Sequence, residues 1–264
     1  MAQRENYEPG EFCWVDLNSH DMHDAKQFYA DLFGWQSIDF DTQGGPPYVG
    51  FMNSGRNIAG LGEMSAEMKA QGIPPTWNCY VRVEDCASAE ALACKLGAQV
   101  IAPTMQVFDA GRLAFLADPT GAVFALWEPR QHRGAQAWGD DNTPCWCELA
   151  TREIEGARAF YEGLFGWRCN EFPGTPSKYY VANVGEAMTG GLLQMTKEWG
   201  EMPAHWSVYF HVADVDATVA RCNQLGGKIC FPPFDAGVGR IAGCNDRQGA
   251  FFYLIKLNPT GAAP

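Results

Sequence analysis

The phrase FYADLFGW at residues 28–35 returns as FYEGLFGW at residues 160–167. A long-period internal repeat constrains a fold more than any local pattern, because each copy must build the same supersecondary unit. Around the phrase the match widens: CWVDLNSHDMHDAKQFYADLFGW (13–35) aligns with CWCELATREIEGARAFYEGLFGW (145–167), and Cys13, Trp14, Leu17, Ala25, Phe28 and Tyr29 recur at one constant shift. A second pair follows in the same order, WNCYVRVEDCASAEALACKLGAQV from Trp77 and WSVYFHVADVDATVARCNQLGGKI from Trp206. The chain is therefore a duplication, and its 264 residues accommodate two domains of ordinary size.

Each half reads as two similar units. In the first, Ala25, Phe28, Tyr29, Leu32 and Phe33 fall on one face of a helix that Asp21 caps and Gly34 ends. The second has a strand YVRV, a helix from Ala87 to Leu96, strands around QVIAP and GRLAFLADP, a DPTG turn and a last strand AVFALWEP. Four β-α-β-β-β units, paired two by two, give an α+β fold. Each pair curls a mixed sheet into a half-open cup with helices outside. The expected boundaries are 8–130 and 144–258, joined by a polar, turn-rich linker over 131–143 in which His132 is expected at the surface. Whether units pair in order or cross between halves stays open.

Composition removes some classes of partner. A formal net charge of −12 with no basic run argues against nucleic acid, which is bound by clustered Lys and Arg. No apolar stretch approaches bilayer length and no leader-like segment opens the chain, so a cytoplasmic protein with no membrane partner is expected. Because one chain supplies all four units, a monomer or homodimer follows. Ten cysteines lie scattered without zinc or redox spacing. Cys145 and Cys147 would share one face of an alternating strand as small core residues.

The order of units, the phrase WVDLNSHD…AKQFY and the late GRLAFLADPTGAVFAL resemble the vicinal-oxygen-chelate superfamily of glyoxalases, bleomycin-resistance proteins and extradiol dioxygenases. The tandem with WVDL, PTWNCY and AHWSVYF is similar to its two-domain glyoxalase-like branch, exemplified by the mycobacterial culture-filtrate antigen. The resemblance spans residues 11–257. It implies cups that hold a divalent ion on His or Glu from the first strand of each unit and Glu from the last. The matching positions here are Trp14 and Trp146, Asn78 and Ser207, Ala125 and Tyr253, and a register near Gly60 and Gly191. None is a good metal ligand, so no metal and no cofactor is expected, as in the bleomycin-resistance branch.

Alternation points Trp14, Asp16, Asn78, Tyr80, Arg82, Ala125 and Trp127 into the first cup. Trp146, Glu148, Ser207, Tyr209, His211, Tyr253 and Ile255 face the second. Aromatic walls with a few polar groups suit a small organic ligand, and the two tryptophans are read as plugs at the bottoms of former metal cups. Asp16 with Arg82, and Glu148 with His211, are the candidate catalytic pairs; the alternative is a buried bridge that only satisfies polar groups. Arg112 and Arg240 sit at matching places after FDAG and either meet an anionic ligand or pair with nearby acidic turns. His20 and His23 read as a solvated helix start, and His205 faces a pocket mouth. The expected function is small-molecule binding. The alternative is an enzyme, either an isomerase, lyase or hydroxylase-type catalyst using side-chain acid–base chemistry or a metal-dependent glyoxalase or dioxygenase with a rearranged site.

Overall fold

The computed structural model describes residues 4–258. The first half runs β1 (Phe12–Ser19), α1 (Met22–Phe33), β2 (Gln36–Asp39), β3 (Tyr48–Asn53), β4 (Arg56–Glu63), a short α2 (Ala66–Ala70), β5 (Thr76–Arg82), α3 (Cys86–Lys95), β6 (Gln99–Val107), β7 (Gly111–Ala117) and β8 (Val123–Pro129). The second repeats it with β9 (Thr143–Thr151), α4 (Ile154–Phe165), β10 (Arg168–Glu171), β11 (Tyr179–Val184), β12 (Ala187–Gln194), β13 (His205–His211), α5 (Val215–Gln224), β14 (Lys228–Asp235), β15 (Gly239–Asn245) and β16 (Phe251–Leu257). Each half forms one eight-stranded mixed sheet, ordered β2-β3-β4-β1-β5-β8-β7-β6 and β10-β11-β12-β9-β13-β16-β15-β14. The units therefore pair in order within each half. At the centre, β1 lies parallel to β4 and antiparallel to β5, which lies parallel to β8.

Local signals place the helices. The Asp21 carboxylate accepts from the backbone N–H groups of His23 and Asp24 to open α1, and Gly34, with φ 75°, closes it. In α3 the Asp85 side chain accepts from Ser88 N–H, which starts that helix one residue before the expected Ala87.

The buried faces of α1 and α4 pack against both halves. Val15, Leu17, Phe28 and Tyr29 of the first half and Cys147, Leu149, Phe160 and Tyr161 of the second belong to one buried cluster. The convex faces of the two sheets thus share a core, with α1 and α4 between them. The twin phrase carries this contact. The Tyr29 hydroxyl donates to Asp246 Oδ2 at 3.2 Å in the other half, and the Tyr161 hydroxyl donates to Asp118 Oδ2 at 2.9 Å. Each hydroxyl accepts from a tryptophan of its own half, Trp77 Nε1 at 2.9 Å and Trp206 Nε1 at 2.8 Å. The closing tryptophans also cross over, Trp35 Nε1 to the Asn142 carbonyl and Trp167 Nε1 to the Gly10 carbonyl, both at 2.8 Å.

One sequence expectation needs correction here. Cys145 and Cys147 do not share a face, because the β9–β13 ladder bulges between Tyr209 and Phe210. The extra residue shifts parity, so Cys147 enters the common core while Cys145 packs on the cup side. The segment 131–143 packs against the domains it joins: Ala135 and Ala137 are buried, Ala135 N–H donates to the Cys13 carbonyl at 2.8 Å, and Trp138 Nε1 donates to the Cys145 carbonyl at 2.9 Å.

Replacing Tyr29 or Tyr161 by Phe leaves a buried aspartate oxygen short of a donor. Each variant should lose about 1–3 kcal/mol in urea unfolding, with the fold retained by circular dichroism.

Candidate functional site: two aromatic cups floored by a carboxylate

A bulge in the β1–β5 ladder between Phe12 and Trp14 sets the parity of the first cup. From there alternation sends Trp14 and Asp16 to the concave face and Val15 and Leu17 to the core. Asp16 is only 5% exposed and its oxygens are fully engaged. Oδ1 accepts from Asn78 Nδ2 at 2.8 Å, while Oδ2 accepts from the Tyr80 hydroxyl at 2.7 Å and the Tyr48 hydroxyl at 3.0 Å. Trp14 Nε1 in turn donates to the Tyr48 hydroxyl at 3.0 Å.

The second cup repeats the motif. Glu148 Oε1 accepts from the Tyr209 hydroxyl at 2.8 Å, and Trp146 Nε1 donates to the Tyr179 hydroxyl at 3.0 Å. Ser207 takes the place of Asn78 as the residue across from the carboxylate. Above these floors lie cavities of about 360 Å³ and about 290 Å³. Phe40 and Phe108 stand at the lip of the first at 40% and 41% exposure, and Phe234 at the lip of the second at 47%.

Burial governs the chemistry. Desolvation raises the Asp16 carboxyl above its ordinary range, and the hydrogen bonds from Asn78, Tyr80 and Tyr48 offset part of that rise. Glu148 is pushed up from its ordinary 4.5 to about 7 by desolvation, against the opposing effect of Tyr209 and Tyr179. Desolvation is also the largest cause holding the hydroxyls of Tyr48, Tyr80, Tyr179 and Tyr209 well above their usual range, so these groups act as neutral donors.

The expected catalytic pairs do not form. Asn78 is the ladder partner of Asp16, and Arg82 lies four residues on, about 13 Å along an extended strand. There its backbone pairs with Gly10 and Glu11. The same offset separates His211 from Glu148, and His211 Nδ1 lies 3.0 Å from Asp141 Oδ1 instead. Arg112 leans on Gln106 at 3.3 Å and Glu128 at 3.7 Å, and Arg240 on Asp216 at 2.8 Å and Asp235 at 3.2 Å; neither lines a cup. They follow the acidic-pairing alternative. Trp14, Asp16, Tyr80 and Trp127 do line the first cavity, and Trp146, Glu148, Tyr209 and Tyr253 the second. Asn78 and Ser207 lie beneath, at 9% and 5% exposure. His205 does not border the second cavity, and its ring contacts the Pro203 carbonyl at 2.9 Å.

Sequence reasoning missed Tyr48, Tyr179 and His132. The two tyrosines left a signal in PYV and YYV, since Tyr48 and Tyr179 stand at the same shift as Gly60 and Gly191. The glycine is required by the tyrosine: a Cβ at Gly60 would overlap the Tyr48 hydroxyl, and one at Gly191 the Tyr179 hydroxyl. His132, expected at the surface, instead sits edge-on to Trp14 with centroids 4.3 Å apart, and its carbonyl accepts from Trp127 Nε1 at 2.9 Å.

The residues at the family's ligand positions do not fit a divalent ion. Trp14, Asn78 and Ala125 in one cup and Trp146, Ser207 and Tyr253 in the other offer neither imidazole nor carboxylate, and the space near Gly60 and Gly191 is filled by phenol. Among the described residues no group of three or more His, Cys, Asp or Glu side chains converges to hold a metal.

Two tandem pairs of βαβββ units, each closing a cup between β1 and β8 or β9 and β16, define a two-domain glyoxalase-type protein. The chain belongs to the Glyoxalase/Bleomycin resistance protein/Dioxygenase superfamily, whose model matches residues 12–126 and 145–253. It is 36% identical over 262 residues to CFP32 of Mycobacterium tuberculosis (strain CDC 1551 / Oshkosh), a candidate glyoxylase by name, covering 98% of this chain and 99% of that one. It is 31% identical over 261 residues to the anthracycline biosynthesis protein DnrV of Streptomyces peucetius, covering 95% and 94%. Among solved structures, the Mn(II)-bound glyoxalase of Novosphingobium aromaticivorans superposes with a TM-score of 0.63 at 14% identity, over 94% of this chain and 82% of that one. The 2,3-dioxygenase LapB of Pseudomonas sp. KL28 gives 0.63 at 14%, over 98% and 95%.

Raised carboxyls couple folding to pH. Glu148 binds its proton more tightly folded than unfolded, so its contribution is present below about pH 4.5 and lost as pH rises through about 7. Glu148→Gln should flatten that fall by on the order of 3 kcal/mol between about pH 5 and about pH 8, read from urea midpoints.

Proposed function

We propose that this protein binds a planar, aromatic small organic molecule in its cups without a resident metal ion. The observation that carries the reading is the floor of each cup, where a buried carboxylate is enclosed by two tyrosine hydroxyls and a tryptophan at the places a metal would need. Stacking on Trp14 and Trp127, or on Tyr209 and Tyr253, supplies apolar contact, and the lip phenylalanines are placed to cover an inserted ring. Relatives named for anthracycline biosynthesis agree in kind, since an anthracycline is built on a flat polycyclic quinone. The partner is accordingly a small molecule rather than nucleic acid or membrane.

A second reading, acid–base catalysis, is favoured by Glu148 alone. A carboxyl that titrates near 7 is half protonated at neutral pH and can take a proton from a bound ring or return one. Any turnover should then inflect near pH 7, and Glu148→Gln should remove it while ligand binding remains.

Thermal shift with 2-hydroxyanthraquinone tests the binding reading. The melting temperature should rise with ligand concentration and keep rising equally after exhaustive chelation, because binding to the folded state alone stabilises it. One stoichiometric divalent ion per cup by elemental analysis, or loss of the shift on chelation, would overturn it.

A further inference from the structure

One exposed side chain bars the mouth of the first cup. In the order β2-β3-β4-β1-β5-β8-β7-β6, the loop after β2 and the turn after β6 stand at opposite edges of the sheet. Phe108, in that turn, reaches from one edge to the other: its Cζ lies 3.5 Å from where a Cβ on Gly45 would stand, and Thr42, Gln43 and Pro46 of the same loop line the cavity with it. The backbone that holds this ring is strained. Phe108 has φ 46°, in the left-handed region that bulky side chains avoid, whereas the other non-glycine residues found there among the described residues, Gln43, Ser54 and Asn142, are polar. Packing does little to offset the strain. The ring is 41% exposed and stacks on no other ring among the described residues, while Phe40 at the same lip stacks on Tyr48 at 6.1 Å and 24°. The second half avoids this arrangement, because in its own FDAG phrase Phe234 is not left-handed and Gly237 takes the positive φ, 77°. Backbone strain kept at a cavity mouth without compensating burial points to a role in binding.

We propose that Phe108 is the specificity-determining residue of the first cup, where its ring covers the outer face of a flat ring bound beneath it and refuses ligands too thick to pass under the bar. The inference rests on the cup-binding reading above and adds the shape of molecule that this cup admits. Trp14 and Trp127 line the cavity below, so a flat ligand gains aromatic contact on both faces. A ligand with rings set at an angle must displace Phe108 and forfeits that cover. The left-handed backbone fixes where the ring lies, since a turn with ordinary φ would carry the side chain in another direction.

Calorimetric titration of 2-hydroxyanthraquinone, which is flat, against phenolphthalein in its neutral lactone form, whose rings splay about a tetrahedral carbon, tests the assignment. Wild-type protein should prefer the flat compound, and Phe108→Gly should cut that preference about tenfold at one site by weakening the flat ligand and admitting the bulky one. Phe108→Tyr keeps the ring and should keep the preference. The same change at the matching place, Phe234→Gly, should leave the site altered by Phe108→Gly as it is in wild type. Without ligand, Phe108→Ala should unfold at a lower urea concentration than Phe108→Gly, although both lack the ring, because only glycine takes this φ without strain. An unchanged preference in Phe108→Gly, or an alanine variant no less stable than the glycine one, overturns the assignment while leaving the cup reading intact. If neither compound binds wild-type protein, the cup reading itself fails and the assignment with it.

Discussion

Everything in this molecule depends on a buried tyrosine hydroxyl reaching from each half into a turn of the other. Asp118 and Asp246 divide their oxygens between two tasks. In each, Oδ1 accepts from the backbone of its own turn, Thr120 and Ala122 in one case and Gln248, Gly249 and Ala250 in the other. Oδ2 receives the tyrosine from across the interface. Aspartates at 3% exposure are tolerable only with both oxygens satisfied. Either half alone would expose the aromatic face of its helix and leave its turn aspartate short of a donor. The duplicated FY phrase is thus the interlock that lets two sheets back onto one core.

That interlock determines where the cups are. With the convex faces buried against each other, the concave faces open on the side remote from the shared core, and strand parity decides which side chains they receive. Regular alternation beyond the bulge ahead of Trp14, and beyond its counterpart ahead of Trp146, puts tryptophan and carboxylate together on the cup side and their neighbours Val15 and Cys147 in the core. Loss of a side chain at Gly60 and Gly191 then lets a tyrosine from the next strand cross to the carboxylate. The floor is built by one deletion of bulk and one reach across it.

The sequence made the repeat, the four units, the helix caps and the inward-facing residues of the central strands legible, because each rests on local periodicity or a short signal. The order of pairing and the two ladder bulges were not legible, since both are settled between strands distant in sequence. The carboxylates Asp16 and Glu148 were found by alternation, yet their partners were misassigned. Parity says which face Arg82 and His211 share, but not that they lie four residues beyond the floor. Tyr48 and Tyr179 come from another strand and reach the floor only through a missing Cβ. His132 was misjudged because a polar, Gly-containing segment usually runs over the surface, whereas here Ala135 pairs with Cys13 and draws the histidine against Trp14.

The two cups share a plan but have diverged in their walls and in their carboxylates. Where the first has Ala125 the second has Tyr253, stacked on Tyr209 at 4.3 Å and 19°, which accompanies the smaller cavity. Where the first has Trp127 the second has Ile255. The longer Glu148 carries a carboxyl that titrates near 7, while Asp16 is held by an additional amide from Asn78. Extra donors favour the charged form, so the first floor is the better fixed acceptor and the second the better proton exchanger. Both halves keep the interlock, Tyr29 with Asp246 and Tyr161 with Asp118, while the cup walls differ between them.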